Sequence, residues 1–425
     1  MKRVLIIVLL GIIVTALTGC GRPKATNRPV PLTPIVLPGG QTNVTPIITD
    51  QNEPTGAETG NTPTLYKPDL QAEIFLPTED NVKVLGRTEM IDDVRWCGWS
   101  GSGIEFVFAG KSCKVTLRGD ELYDSDEHSA RVAVYVNGER VKDFRMTDGD
   151  GPEMQIPILE SDEFTAATIG IVKLSEVSDS TVGIVSIEAI GMITPLNDKA
   201  KQIEFIGDSI TCGYGVDGEF GKDLYSTATE DCTKGFAYLT AKLLDADYSL
   251  VSQSGYGIIS GYTGTGAKNP ERNMPAYYET QGCSYGHFAD TIAPEGVAWD
   301  FSGFVPDTIV INLGTNDFSY CGADEERRRE YIDGYKAFLQ LVREKNPDAM
   351  IVCTLGIMGT ELCDSMETAV KEYVAASGDG KIVSMRFDKQ DEEADGLAID
   401  WHPSARTHEK AAGALAAFLR ENCGY

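Results

Sequence analysis

Three short stretches of this chain carry residue types able to do acyl chemistry. Ile206-Gly207-Asp208-Ser209-Ile210-Thr211-Cys212-Gly213-Tyr214-Gly215 follows an apolar run and offers a hydroxyl in Ser209. Asn312-Leu313-Gly314-Thr315-Asn316-Asp317 supplies a side-chain amide in Asn316. Asp400-Trp401-His402-Pro403-Ser404, close to the C-terminus, supplies an imidazole in His402. A serine hydroxyl is a weak nucleophile until a base takes its proton, and the oxyanion formed on attack needs hydrogen-bond donors. Nucleophile, base and donor amide together are the minimum set for acyl transfer to water. Taken singly, each has an ordinary explanation: Ser209 as a helix cap, Asn316 as a turn residue, His402 as a surface side chain. Their joint occurrence, in this order and at strand ends, points to chemistry.

The elements that must position these groups are readable from periodicity. Gln202 to Ile206 reads as a buried strand, Thr308 to Leu313 as a continuous apolar strand, and Tyr248 to Val251 as a shorter one. Helical spacing runs over 236–244, 331–346, 366–376 and 405–421, with strands at Met350 to Thr354 and Ile382 to Ser384. Strands alternating with helices of this length predict an α/β fold over residues 200–425, a parallel sheet with helices on both faces. In such sheets the site gathers at the carboxyl ends of the strands, where all three stretches fall.

Residues 70–195 follow another pattern. Short runs alternate apolar and polar at period two, as in Gly103 to Gly110 and Cys113 to Leu117. Arg131 to Val136 runs into Asn137-Gly138, a strong hairpin signal. Ala167 to Val172 and Val182 to Ile187 complete a set that predicts a β-sandwich of jelly-roll type.

The N-terminus reads as an address. Lys2 and Arg3 precede an apolar stretch to Leu17, too short for a membrane span, and Leu17-Thr18-Gly19-Cys20 resembles a lipobox. Residues 1–20 are thus expected to be a lipoprotein signal, with Cys20 the lipidated residue and membrane attachment through that anchor. Residues 21–69, rich in Pro, Thr, Asn and Gly, read as a disordered tether. The expected location is exported, at the cell surface or membrane-anchored.

A formal charge of −27 argues against nucleic acid as a partner, because phosphate neutralisation needs clustered Lys and Arg. Of ten cysteines, Cys212 and Cys232 are the pair to test first for a disulfide, the alternative being that most are small buried hydrophobes. The four histidines are scattered, no cysteine pair has zinc-site spacing, and no glycine loop with Lys could cradle phosphate. Neither cofactor nor metal is expected. His128, His287 and His408 lose to His402 on position, since none follows a late strand.

Gly207-Asp208-Ser209, a glycine block after the second strand, Gly314-Thr315-Asn316-Asp317 and the C-terminal histidine resemble the four blocks of the SGNH (GDSL-type) hydrolases. Val84-Leu85-Gly86-Arg87-Thr88, Trp99 to Glu105 and Asp400 to Ser404 further resemble carbohydrate esterase family 2, whose members look like a jelly-roll domain followed by an SGNH domain of flavodoxin-like topology. The resemblance covers about Val82 to Phe418. It implies Ser209 as nucleophile, His402 as general base, and an oxyanion hole of the Ser209 N–H, the Gly255 N–H and the Asn316 amide, with Gly257 as the fallback for Gly255. An acid usually stands three residues before the histidine, but here that position is Ile399. Asp400 as orienting acid, or a backbone carbonyl in a dyad, both stay open. Trp401, Tyr256 and Tyr214 flank these residues and could stack on a sugar ring or simply pack.

The resemblance implies a serine esterase acting on acetylated polysaccharide, xylan first and glucomannan second. O-acetyl removal from peptidoglycan or the cell's own glycans fits the same residues. A reading of another class is a carbohydrate-binding lipoprotein whose esterase module is inactive.

Overall fold

The computed structural model describes residues 71–425, together with a two-residue antiparallel pair, Ile35–Val36 with Thr42–Asn43. That pair lies inside the segment read as a structureless tether. Cys20 and the rest of the signal lie outside the described residues.

Apolar runs too regular for loops form the five parallel strands of the C-terminal half. Across the sheet their order is Asp247–Ser252, Gln202–Gly207, Thr308–Asn312, Met350–Ile357, Ile382–Lys389. The first strand in sequence thus has the second on one side and the third on the other, which creates a crevice at its carboxyl end. Alternation assigns the two faces. Ile309 and Ile311 pack towards the helices Glu325–Lys345 and Cys363–Ser377, whereas Val310 packs with Phe236–Leu243 and Ala405–Asn422 on the other side. The helix expected from residue 331 begins a turn and a half earlier because Asp324 caps it, accepting from the N–H groups of Glu326 and Arg327.

The N-terminal half is a nine-stranded antiparallel sheet. Its centre is three long strands, Gly103–Gly119, Glu153–Lys173 and Val182–Pro195, of 17, 21 and 14 residues. Register shifts between Pro157 and Leu159, between Glu160 and Thr165, and between Ile190 and Gly191 mark bulges where these strands bend. Both ends of each strand therefore serve one apolar core, which includes Ile104, Phe106, Leu117, Ile169 and Ile187. The Arg131–Val136 and Glu139–Arg145 hairpin turns at Asn137 and Gly138, with φ of 53° and 80°, as its dipeptide predicts.

Residues 71–425 lie in one compact unit, and its two halves are joined by buried ion pairs. Arg87 is 0% exposed. It donates from Nη2 to Glu204 Oε2 at 3.0 Å and from Nη1 to the Tyr278 carbonyl, with its guanidinium over the Tyr278 and Trp299 rings. Lys83 reaches Asp247 at 2.6 Å. Glu204 and Asp247 stand on the first two parallel strands, so the β-domain grips the strands that carry the site.

Cys212 and Cys232 are not bridged, and the nine cysteines of the described residues are all free thiols. Most are buried small hydrophobes, and burial pushes their thiols up, for example that of Cys113 to about 12. No helix among the described residues is long and apolar enough to cross a membrane.

Candidate active site

Ser209 opens a four-residue helix directly after the first parallel strand. The turn is tight enough that a Cβ on Gly207 would lie 2.0 Å from the Thr211 hydroxyl, so only glycine fits. Asp208 caps the turn through Ile210 N–H at 3.0 Å and accepts from Asn316 Nδ2 at 3.2 Å. Burial pushes the Asp208 carboxyl up to about 7, with the nearby Asp317 adding to the effect.

Ser209 Oγ lies 2.8 Å from His402 Nε2. The other ring nitrogen, Nδ1, faces the Ile399 carbonyl at 3.1 Å. That carbonyl is brought round by two consecutive non-glycine residues in the left-handed region, Asp400 at φ 51° and Trp401 at φ 63°. Such a pair is held against a cost of order 1–3 kcal/mol per residue. The restraints are visible: His402 N–H donates to Ile399 O, Ala398 N–H to His402 O, and Gln390 to the Trp401 carbonyl. Beneath them Ile399 is buried against Gly215 and Gly218, where any Cβ would collide with its side chain.

The Asp400 carboxylate makes no hydrogen bond to His402. It accepts instead from the Tyr214 hydroxyl at 2.9 Å, because the left-handed turn swings it outward. Of the two options left open for orienting the histidine, the carbonyl occupies the position and the acid does not. Burial pushes the His402 imidazole down to about 4, against the opposing pull of that carbonyl. A neutral ring with its proton on Nδ1 leaves Nε2 free to accept from Ser209.

The loop after the second strand supplies Gly255, at φ 80°. Its N–H and that of Ser209 have no acceptor among the described residues. The N–H of Gly257 is committed to the Arg272 carbonyl at 3.2 Å, which removes the fallback. Two acids pin this loop. Asp317 accepts from the N–H groups of Ile258, Ile259 and Ser260, and Glu176, from the β-domain, accepts from Ser254 N–H at 2.6 Å. The Asn316 amide donates to the Tyr256 carbonyl at 2.8 Å as well as to Asp208, so both its hydrogens are engaged.

The three aromatics for which sugar stacking and simple packing were both open part company. Trp401 is 61% exposed, touching Phe220 edge-on. Tyr256 is only 7% exposed and belongs to the core, so it offers no stacking face. Tyr214 is covered on both faces, stacked on Tyr225 at 4.1 Å and lying against the His402 ring at 4.3 Å. It braces the histidine instead of awaiting a ligand. The remaining histidines have partners of their own: His128 faces Asp179, His287 faces Glu121, and buried His408 accepts from Phe236 N–H.

Sequence reasoning missed Asp208 and Asp317, although both stand inside the quoted motifs and are acids flanking apolar strands, a pattern that signals a buried polar role. It missed Glu176, Tyr225 and Arg272, for which no local signal exists.

Residues 205–410 match the GDSL-like Lipase/Acylhydrolase family, and residues 84–195 match the Carbohydrate esterase 2 N-terminal domain. A solved family two carbohydrate esterase from Clostridium thermocellum, in complex with cellohexaose, is 30% identical, with a TM-score of 0.68 over 81% of this chain and 99% of that one. This chain belongs to carbohydrate esterase family 2. Within that grouping, the cellulase/esterase CelE of Acetivibrio thermocellus is 32% identical over 82% of this chain, which spans only 40% of the length of that relative. An acetylxylan esterase / glucomannan deacetylase of Cellvibrio japonicus is 25% identical over 81% of this chain and 89% of its own length. The match to the family 2 N-terminal model coincides with the domain that supplies Arg87 and Glu176.

Proposed function

We propose that this family 2 member is a serine esterase that removes O-acetyl groups from plant cell-wall polysaccharide, xylan first and glucomannan second. The observation that carries the reading is the 2.8 Å pair of Ser209 Oγ and His402 Nε2, with Nδ1 held by the Ile399 carbonyl. The names of the relatives support the substrate class.

In this reading Ser209 Oγ attacks the acetyl carbonyl carbon as its proton passes to His402 Nε2. The tetrahedral oxyanion sits against the free N–H groups of Ser209 and Gly255, each donor contributing roughly 3–4 kcal/mol. Asn316 adds its amide by exchanging the longer contact to Asp208. Collapse breaks the bond to the sugar oxygen, which takes the proton from His402. Water, deprotonated by the same nitrogen, then releases acetate from the acyl-serine. Acetate release from acetylated xylan, glucomannan and peptidoglycan tests the assignment. Xylan or glucomannan should lead, and release from peptidoglycan alone would replace it with the envelope reading.

Asn316→Ala should lower kcat roughly 100- to 1000-fold with little change in KM, as for a group acting on the transition state. A raised KM with normal kcat would make Asn316 a ground-state contact. Asp400→Asn should cost less than about tenfold, since Ile399 keeps the ring in place. A loss on the order of 10⁴, as in triads whose orienting acid is neutralised, would restore Asp400 to that role.

The depressed pKa of His402 has a definite sign. The base works only when neutral, a state that holds above about pH 4 and is lost as pH falls through that value. The acid limb of kcat/KM for 4-nitrophenyl acetate should therefore lie well below 6.5, the ordinary histidine value. An acid limb at 6.5 or above would mean that His402 is solvated during turnover.

Export and anchoring through Cys20 belong to the same proposal, supported by the lipobox-like sequence. Incorporation of a labelled fatty acid, lost in Cys20→Ala, is its readout.

A further inference from the structure

Arg272 is the only one of the fourteen arginines in the described residues whose guanidinium has neither a hydrogen bond nor an ion pair. In a chain of formal charge −27, where acids outnumber bases by 64 to 37, an unpaired arginine is unexpected. Even the adjacent Glu271 does not pair with it.

Its position is fixed by the oxyanion loop. The Arg272 carbonyl accepts from Gly257 N–H, and Asn273 bridges to Gly257 as a one-residue parallel ladder. The side chain then runs along the loop over two glycines. Its Cβ occupies the space beside Gly261, where any added Cβ would lie 2.5 Å away. Its Nη1 lies 3.7 Å from where a Cβ on Gly255 would be, with nothing else that close. The stem is thus packed while the charged head remains exposed beside the residue whose N–H faces the reacting carbonyl. A planar guanidinium with free donors is matched to a carboxylate, which it binds through two parallel hydrogen bonds.

We infer that Arg272 forms a carboxylate subsite next to the oxyanion loop, so that the preferred substrate is an O-acetylated glycan bearing a sugar carboxylate near the ester. The inference rests on the esterase reading above and narrows its substrate. A uronic acid branch on xylan and the lactyl group of a muramyl sugar both present that carboxylate.

The test uses matched substrates and the full chain. An acetylated glucuronoxylan oligosaccharide is compared with its carboxyl-reduced counterpart, and an O-acetylated muramyl oligosaccharide with its own. The wild type should favour the acidic member by about 10- to 100-fold in kcat/KM, the range of one charge-assisted bidentate contact. The pair that shows the preference identifies the source of the carboxylate. Arg272→Gln should bring the acidic-to-reduced ratio close to one. Arg272→Lys, which keeps charge but not the fork, should fall between, and raising ionic strength should shrink the wild-type preference. A wild-type ratio near one for both pairs, or a preference unchanged in Arg272→Gln, overturns the subsite. Calorimetric binding of the same pairs separates the two claims. Acidic oligosaccharide bound through Arg272 by a chain that never turns over 4-nitrophenyl acetate would overturn the esterase reading alone.

Discussion

Ser209→Ala is expected to reduce hydrolysis of 4-nitrophenyl acetate by on the order of 10⁵-fold or more while the protein stays folded. The hydroxyl is the atom that bonds to the acyl group in the proposed reaction, and nothing nearby replaces it. Cys212, one helical turn on, faces Ser252 and Glu176, away from His402. The structural cost should be small, because the substitution removes one oxygen and a single hydrogen bond, worth about 1 kcal/mol. His402→Ala should be nearly as damaging, and the double variant no worse than either single one, since both serve the same proton transfer. Turnover by Ser209→Ala within tenfold of wild type would sink the assignment. Additive losses in the double variant would place the two residues in separate steps. Circular dichroism and thermal unfolding provide the check on folding.

Arg87→Ala should produce the largest loss of stability of any single substitution at the junction of the two halves. It leaves the Glu204 carboxylate in a site only 2% exposed, with the Tyr278 and Ser249 hydroxyls as its remaining donors. It also orphans the Tyr278 carbonyl and empties the space among the Tyr278, Trp299 and Phe301 rings. Breaking a buried pair by removing one partner costs about 3–5 kcal/mol, which for a unit of this size lowers the melting temperature by on the order of 10 °C. Arg87→Lys should recover little, because an ammonium cannot reach both the carboxylate and the carbonyl in the geometry of the fork. Replacing both partners, as Arg87→Met with Glu204→Leu, should lose less than Arg87→Ala, since no charge is then stranded. A melting point for Arg87→Ala within a degree or two of wild type would show that water reaches Glu204 and that the junction is looser than its buried ion pair implies.

The β-domain does more than pack against its neighbour. Glu176 reaches Ser254, immediately before Gly255, and the Ser178 hydroxyl meets the Gln253 side chain. Tyr225 stacks on the ring that braces His402, and its hydroxyl is held by Asp179, which also belongs to the β-domain. Two of the three arms of the site therefore rest on residues from the other half of the chain.

Sequence alone singled out the residues that the proposed reaction uses and where along the chain they stand. Ser209, Asn316 and His402 are chemically distinctive types placed at the ends of strands whose apolar periodicity is a local property, so both motif and element could be read without knowing the fold. The parallel sheet, its flanking helices and the Asn137-Gly138 hairpin were legible for the same reason.

The tertiary structure decided what holds those residues in place. The Ile399 carbonyl, which every residue type could supply, has no signature in the sequence. It faces His402 only because Asp400 and Trp401 adopt left-handed backbone over a side chain buried on Gly215 and Gly218. The same turn sent Asp400 to Tyr214. Tyr256 and Tyr214 look alike as aromatic neighbours of the motifs, yet one fell into the core and the other between two rings, because burial depends on what the rest of the chain places on each face. Gly255 and Gly257 are the same residue type two positions apart, and it is the Arg272 carbonyl that claims the N–H of Gly257 and leaves that of Gly255 free. The ion pair of Arg87 with Glu204 and the contact of Glu176 with Ser254 join positions far apart in the chain, and periodicity within one segment carries no information about contacts made only when distant segments meet.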